Sequence, residues 1–201
     1  MKILLALGAN LPRDVTSGTG TPAETLRLAL EAMPSVGVRV IAQSPFYQTP
    51  CFPVGAGPDY VNAAAHCEVD ADTDPLDLLT RLHGIEARFG RARSTRWAGR
   101  TLDIDLLAIG DLVLPDGETQ AHWRHLAPSD QARLAPETLI LPHPRLQDRG
   151  FVLVPLADVA ADWHHPILGL SVAKMRAALP PEALQDIRPL ADTAPATQSD
   201  P

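Results

Sequence analysis

Apolar residues along the chain change period several times, and the changes mark out its elements. Ile3 to Leu7 is an apolar run closed by Gly8, which reads as a buried strand. "TPAETLRLALEAM" follows with helical period: Thr21 fits the N-cap, Pro22 the first turn and Glu24 the third position. Val36 to Tyr47 is a second extended segment, with Val38, Val40 and Ala42 on one face, and "QTPCFPVGAGP" is a loop without period. Tyr60 to Val69 alternates as a third strand. From Pro75 to Gly90 a helical stripe of Leu78, Leu82, Ile85 and Phe89 returns, with Gly90 as its stop. "RWAGRTLDIDLLAIGD" then reads as a strand whose Leu102, Ile104, Leu106 and Ala108 face a core.

The order β-α-β-β-α-β is that of the ferredoxin-like split βαβ arrangement. The expected fold is therefore α+β: an antiparallel sheet with both helices on one face and the other face free to hold ligands. Pro115 to Thr138 reads as an insertion with a short helix around Ser129 to Leu134. "LILPHPRLQDRGFVLVPLADVA" regains apolar character, and Ser171 to Ala178 closes this C-terminal extension as a small helix. Residues 1–180 are expected to form one domain and 189–201 a disordered tail, since "PLADTAPATQSDP" offers nothing to bury.

Composition narrows the functional classes. A net charge of −7 argues against broad binding to nucleic acid or acidic membranes, so any anion site must be local. Cys51 and Cys67 have no disulfide-framework or zinc spacing. The N-terminal apolar run is too short to span a membrane. A soluble, cytoplasmic protein is expected.

Within that acidic chain, two clusters stand side by side. Asp103 and Asp105 share one strand face, and a carboxylate is costly to bury without a compensating cation. Immediately before them, Arg88, Arg91, Arg93, Arg96 and Arg100 fall within thirteen residues, in a chain whose only lysines are Lys2 and Lys174. Each cluster alone also fits a solvated surface. Together they can bracket a magnesium nucleotide: carboxylates suit Mg²⁺, and guanidinium groups fork onto phosphate oxygens. A third segment, "LPHPRLQDRGF", fixes His143 between prolines beside Arg145, Arg149 and Phe151. A fourth, around "FYQTPCFPVGAGPDYVNAA", offers Thr49, Pro50, Phe52, Tyr60 and Asn62 as a slot for a flat heterocycle, or as ordinary strand residues. "LGANLP" is not a P-loop, so phosphate must be held by metal and arginine.

These motifs, in this order, resemble the 6-hydroxymethyl-7,8-dihydropterin pyrophosphokinase family from about Met1 to Ala178. "LGANL" is similar to the family's L-G-S-N-L. "SPFYQTP" and "PDYVNAA" are similar to its pterin-side segments. "IEARFGRARSTRWAGRTLDIDLL" resembles its long central signature and "LPHPRLQDRGFVLVPL" its third segment. The resemblance implies transfer of pyrophosphate from ATP to a pterin hydroxymethyl group, with two Mg²⁺ ions on Asp103 and Asp105 and phosphates steadied by Arg91 and Arg100. It places His83, Glu86, Arg93, Trp97, Leu106, Leu139, Ile140, His143 and Arg149 around ATP. Thr49, Pro50, Phe52, Tyr60, Asn62, Trp97 and Phe151 would hold a reduced pterin, in a monomer that binds no nucleic acid and no membrane. The arginine-rich loop from Arg91 to Gly99 would close over both substrates.

Three departures from the family pattern are visible. "WAGR" replaces W-G-P-R, His83 stands where the family often has Gln, and 115–138 is longer than in compact members. Two other readings share part of the pattern. A ferredoxin-like nucleotidyl transferase or cyclase would use the carboxylate pair but release pyrophosphate, and a small-molecule-binding regulatory module would not need both carboxylates.

Overall fold

A computed structural model describes residues 1–14, 17–51, 55, 57–90 and 100–191. The strands are β1 (Lys2–Ala9), β2 (Arg39–Gln43), β3 (Tyr47–Thr49), β4 (Tyr60–Glu68), β5 (Asp103–Ile109) and β6 (Arg188–Pro189). The helices are α1 (Pro22–Ala32), α2 (Pro75–Arg88), α3 (Gly117–Arg124), α4 (Pro128–Arg133), α5 (Gly150–Ala160) and α6 (Val172–Ala177). The sheet runs β5-β1-β4-β3-β6, and β2 also pairs with β4. Each pairing is antiparallel. This is the ferredoxin-like α+β arrangement that the order of elements predicts, with the second strand broken at Ser44–Phe46 into β2 and β3.

The first half folds for legible reasons. Thr21 and Glu24 close a capping box: the Thr21 hydroxyl accepts the Glu24 N–H at 3.2 Å, and Glu24 Oε2 accepts the Thr21 N–H at 2.8 Å. Asp74 caps α2 by accepting the N–H groups of Leu76 and Asp77. Past the end of α2, Gly90 takes a left-handed φ of 81°. The apolar faces of α1 and α2 bury Leu26, Leu30, Leu78, Leu82 and Ile85 against Ile3, Leu5, Leu7, Ile104 and Leu106 of the sheet.

The second face of the sheet is not left open. Helices α5 and α6 cover it, with Leu153, Leu156 and Met175 packed on Leu4, Ala64 and Ala108. The molecule is thus a three-layer α-β-α sandwich, and β1 is buried on both faces, which explains its unbroken apolar run. Ala108 lies in this second core, contrary to its expected direction. The β1–β5 register shifts between Leu4↔Ala108 and Leu5↔Leu106, so Leu107 is an extra residue that reverses the side-chain parity after it.

The insertion leaves and rejoins the fold at Leu114 and Leu141, which exchange two backbone hydrogen bonds of 2.9 and 3.1 Å. It contains α3 as well as the expected short helix. The expected tail begins too early at 189. Pro189 pairs with Tyr47, Leu190 donates its N–H to Phe46 O at 2.8 Å, and its side chain packs on the main core. The exposed edge of β3 recruits this segment by backbone pairing, which composition does not reveal. Residues 192–201 lie outside the described residues.

Leu5 is fully buried in the central strand. Leu5→Ala is expected to lower unfolding stability by about 2–5 kcal/mol, read as a lower urea midpoint at unchanged slope.

Candidate active site

The two aspartates open onto a trough made by small residues. Across the sheet, Asp103 stands opposite Gly8, which stands opposite Asn62. One step further in, Asp105 stands opposite Ala6, and Ala6 opposite Ala64. Side chains directly opposite share a face, so the carboxylates border a floor of Gly and Ala. Deeper along the same face, the larger Leu4 meets α5 and α6. What remains is a cavity of about 210 Å³ whose walls include Thr49, Tyr60, Asn62, Arg100, Arg149 and Phe151.

Gly8 is required by this geometry. A Cβ there would lie 2.8 Å from Asn62 Oδ1. Asn62 is itself buried, and its Nδ2 donates to Thr49 Oγ1 at 2.7 Å. The amide is thus held flat against a bare backbone at the cavity wall, beside Tyr60 and Pro50. Phe151 remains 40% exposed at the first turn of α5. The Arg149 guanidinium carbon sits 5.6 Å from its ring centroid. An exposed aromatic ring facing a buried amide can hold a flat polar heterocycle by stacking and paired hydrogen bonds.

The opposite side is a charge cluster. Arg100 pairs with Asp103, and Arg149 Nη1 lies 3.6 Å from Asp105 Oδ2. Burial works against the charged Arg100, but Asp103 and Asp105 outweigh it and hold its pKa above the usual arginine value. Arg149 is shifted down, first by burial and then by Arg145 and Arg100, with Asp105 opposing. The Tyr60 phenol is raised chiefly by burial. Among the described residues, no group of three or more His, Cys, Asp or Glu side chains is arranged to hold a metal. A pair of oxygen donors beside a cavity fits Mg²⁺, which takes one or two carboxylates and completes its shell with water and phosphate.

His143 lies near Arg149, Arg145 and Asp103. Its N–H donates to Leu107 O at 2.8 Å, and its Nδ1 accepts the Arg145 N–H at 3.1 Å. The neutral ring therefore carries its proton on Nε2. Burial, reinforced by Arg149 and Arg145, pushes its pKa down to about 3.

Other residues assigned by resemblance fall into two groups. Leu106 and Ile140 are buried, and Leu106, with half-buried Leu139, belongs to the core beneath α1 and α2. Glu86 is buried on α2, one turn from half-buried His83, and its Oε1 accepts the Ile104 N–H at 2.8 Å. Strand β5 is at the sheet edge, so this bond satisfies an N–H between the two aspartates. Phe52, Arg91, Arg93, Arg96 and Trp97 lie outside the described residues, as does the whole expected lid, 91–99.

Asn10, the asparagine of "LGANL", is a positioning residue to which the motif reading assigns no role. Its Oδ1 accepts the Arg100 N–H at 2.7 Å, and its Nδ2 donates to Pro58 O at 3.1 Å. The N–H groups of Asn10 and Leu11 both donate to Arg100 O, at 2.9 and 3.1 Å. One buried side chain thereby joins the end of β1 to the entries of β4 and β5. The "LGANL" segment was legible as a motif, but nothing in it shows that Asn10 would bond to residues 48 and 90 positions away.

Two outcomes follow from this geometry. Gly8→Ala is expected to displace Asn62 and raise KM for the heterocyclic substrate about tenfold, with KM for the nucleotide within about twofold, read by steady-state kinetics. His143 is expected to stay neutral from pH 8 to pH 5, visible as constant ring shifts by NMR. Its folded pKa lies below the unfolded value of about 6.5, so the unfolded chain binds more protons between those values. Its contribution therefore lowers stability as pH falls from about 6.5 towards 3.

Known proteins resemble this chain along most of its length. The family model described as 7,8-dihydro-6-hydroxymethylpterin-pyrophosphokinase (HPPK) matches residues 4–161. A 2-amino-4-hydroxy-6-hydroxymethyldihydropteridine pyrophosphokinase from Synechocystis sp. is 36% identical over 172 residues, 86% of this chain and 73% of the relative. One of the same name from Pseudomonas aeruginosa is 34% identical over 185 residues, 92% of this chain and 95% of the relative. Among solved structures, wild-type Plasmodium falciparum HPPK-DHPS with SDX-DHP matches with a TM-score of 0.60 at 14% identity. That match covers 88% of this chain but only 44% of the longer one, and it concerns the fold alone. A family match over most of the chain, with relatives above 30% identity along nearly its whole length, means that the chain belongs to the 7,8-dihydro-6-hydroxymethylpterin-pyrophosphokinase family.

Proposed function

We infer that this chain transfers pyrophosphate from ATP to the hydroxymethyl oxygen of 6-hydroxymethyl-7,8-dihydropterin, a step of folate biosynthesis. The observation that carries the reading is the juxtaposition across Gly8 of Asn62 with Asp103. A heterocycle-binding amide and a metal-binding carboxylate stand on the two strands that flank β1, with only Gly8 between them. The substrate oxygen forms a bond to the β-phosphorus, the bond from that phosphorus to the α-phosphate oxygen breaks, and AMP leaves with its electron pair. The hydroxyl proton is released to solvent.

Asp103 and Asp105 would hold two Mg²⁺ ions that enter with ATP. Bound there, the ions supply charge neutralisation for the attacking and leaving oxygens. Arg100 and Arg149 now neutralise the same carboxylates. With a metal on the carboxylates, both guanidinium groups would be available to phosphate oxygens, which they match in geometry. Arg91 acts with Arg100 on the transferring phosphates, while His83, Arg93, Trp97 and neutral His143 surround the nucleotide. Leu139 and Ile140 bring the backbone that carries His143. Phe151, Phe52 and Trp97 enclose the pterin ring, and Thr49, Pro50, Tyr60 and Asn62 hold its edge. Catalysis is mainly positioning and electrostatics, as for phosphoryl transfer in general. No helix among the described residues is long and apolar enough to cross a membrane. We assign the protein to the cytoplasm, as a monomer acting on small molecules rather than nucleic acid.

Incubation with ATP, Mg²⁺ and the reduced hydroxymethylpterin is expected to yield AMP and a pterin diphosphate in equal amounts. ADP with a pterin monophosphate, or release of free pyrophosphate, would overturn the assignment. Tight pterin binding without turnover would favour a regulatory module. Asp103→Asn and Asp105→Asn are each expected to lower kcat by roughly two to three orders of magnitude while leaving the thermal transition in place.

A further inference from the structure

The insertion at 115–138 has an anchor on the segment that carries His143. Gln120, in the middle of α3, is completely buried. Its Nε2 donates to Pro142 O at 3.1 Å, and its Oε1 accepts from Arg124 Nε at 3.4 Å. An apolar residue would fill such a place without an amide to desolvate, so the hydrogen bonds define what the glutamine does there.

The bond to Pro142 holds one side of a particular peptide unit. The other side is the His143 N–H, which donates to Leu107 O at 2.8 Å. Leu107 is the extra residue of the bulge in β5, two positions after Asp105. The peptide plane between Pro142 and His143 is therefore gripped from opposite directions, by the strand that carries the carboxylates and by the insertion. Fixing that plane fixes where the imidazole leaves the backbone, and the Arg145 N–H then sets its tautomer at 3.1 Å. The paired bonds between Leu114 and Leu141 close the neck of the insertion, two residues before His143. Asp116 stiffens α3 from outside, accepting the Thr119 N–H and hydroxyl at 2.8 Å each.

We propose that the insertion is a built-in buttress of the nucleotide side of the site, and that Gln120 is the positioning residue that sets His143 for ATP. This rests on the nucleotide role given to His143 above. The pterin side is held by other elements: Asn62, Thr49 and Gly8 belong to β4, β3 and β1, whereas Gln120 bonds to Pro142 and Arg124. The buttress therefore acts on one substrate and not the other.

Steady-state kinetics of the full-length protein with each substrate varied separately tests this. Gln120→Met keeps length and volume but cannot donate to Pro142. It is expected to raise KM for ATP about fivefold, with KM for the pterin and kcat at saturating ATP each within about twofold. Amide hydrogen exchange at His143 is expected to quicken in the same variant. Asp116→Ala, an exposed change that uncaps α3 without touching the buried amide, is expected to raise KM for ATP about twofold in the same selective way. If Gln120→Met does not fold, the result for Asp116→Ala decides. An unchanged KM for ATP, or an equal rise for both substrates, would overturn the buttress. Failure of the unaltered protein to make AMP would instead remove the function on which it rests.

Discussion

Two carboxylates on one face of an edge strand need positive charge, and the rest of the site is organised around meeting that need. Asp103 and Asp105 meet Arg100 and Arg149. Each cation comes from a different part of the sequence, one at the end of the arginine-rich loop and one at the start of α5. The pairings are only partly buried, so solvent still screens them and exchange of partners costs less than for a fully buried pair. A site that must accept a highly charged nucleotide and later release its products benefits from ion pairs of this kind. A deeply buried pair would resist separation.

The carboxylates also dictate what can lie beside them. The row Asp103–Gly8–Asn62 and the row Asp105–Ala6–Ala64 put the smallest side chains in the central strands, directly next to the charged edge. A larger residue at position 8 would collide with Asn62. Further along the same strands, Leu4, Leu107 and Ala108 turn the face into ordinary core beneath α5 and α6. The change from trough to core occurs at the bulge in β5. The bulge also frees the Leu107 carbonyl, which holds His143. A single irregularity thereby ends the cavity and anchors a residue at its rim.

Backbone clamps supply rigidity where the chain lacks regular structure. Asn10 joins the entries of β4 and β5 to β1, Glu86 satisfies the Ile104 N–H at the sheet edge, and Gln120 secures the segment before His143. All three are buried polar side chains, and each makes at least one hydrogen bond to a main-chain group. None needs to touch a substrate to matter. Their common effect is that loops around the cavity are held by the scaffold, as preorganised electrostatics requires.

Periodicity and spacing alone determined the order of elements, the capping box of α1, the left-handed stop at Gly90 and the shared face of Asp103 and Asp105. Each of these depends on residues within a few positions of one another, where dihedral preferences and side-chain period act directly. The family motifs likewise named Asn62, Arg100, His143, Arg149 and Phe151, because reactive groups cluster in short signatures. Only the tertiary structure decided that the second sheet face is covered, that Ala108 points away from its expected core and that Pro189 and Leu190 close the edge of β3. It alone brought Asn10 to Arg100 and Gln120 to Pro142. Those outcomes rest on a register shift and on hydrogen bonds between backbone groups far apart in the chain. Backbone amides and carbonyls are nearly identical at every position, so their long-range pairing leaves no mark in side-chain composition.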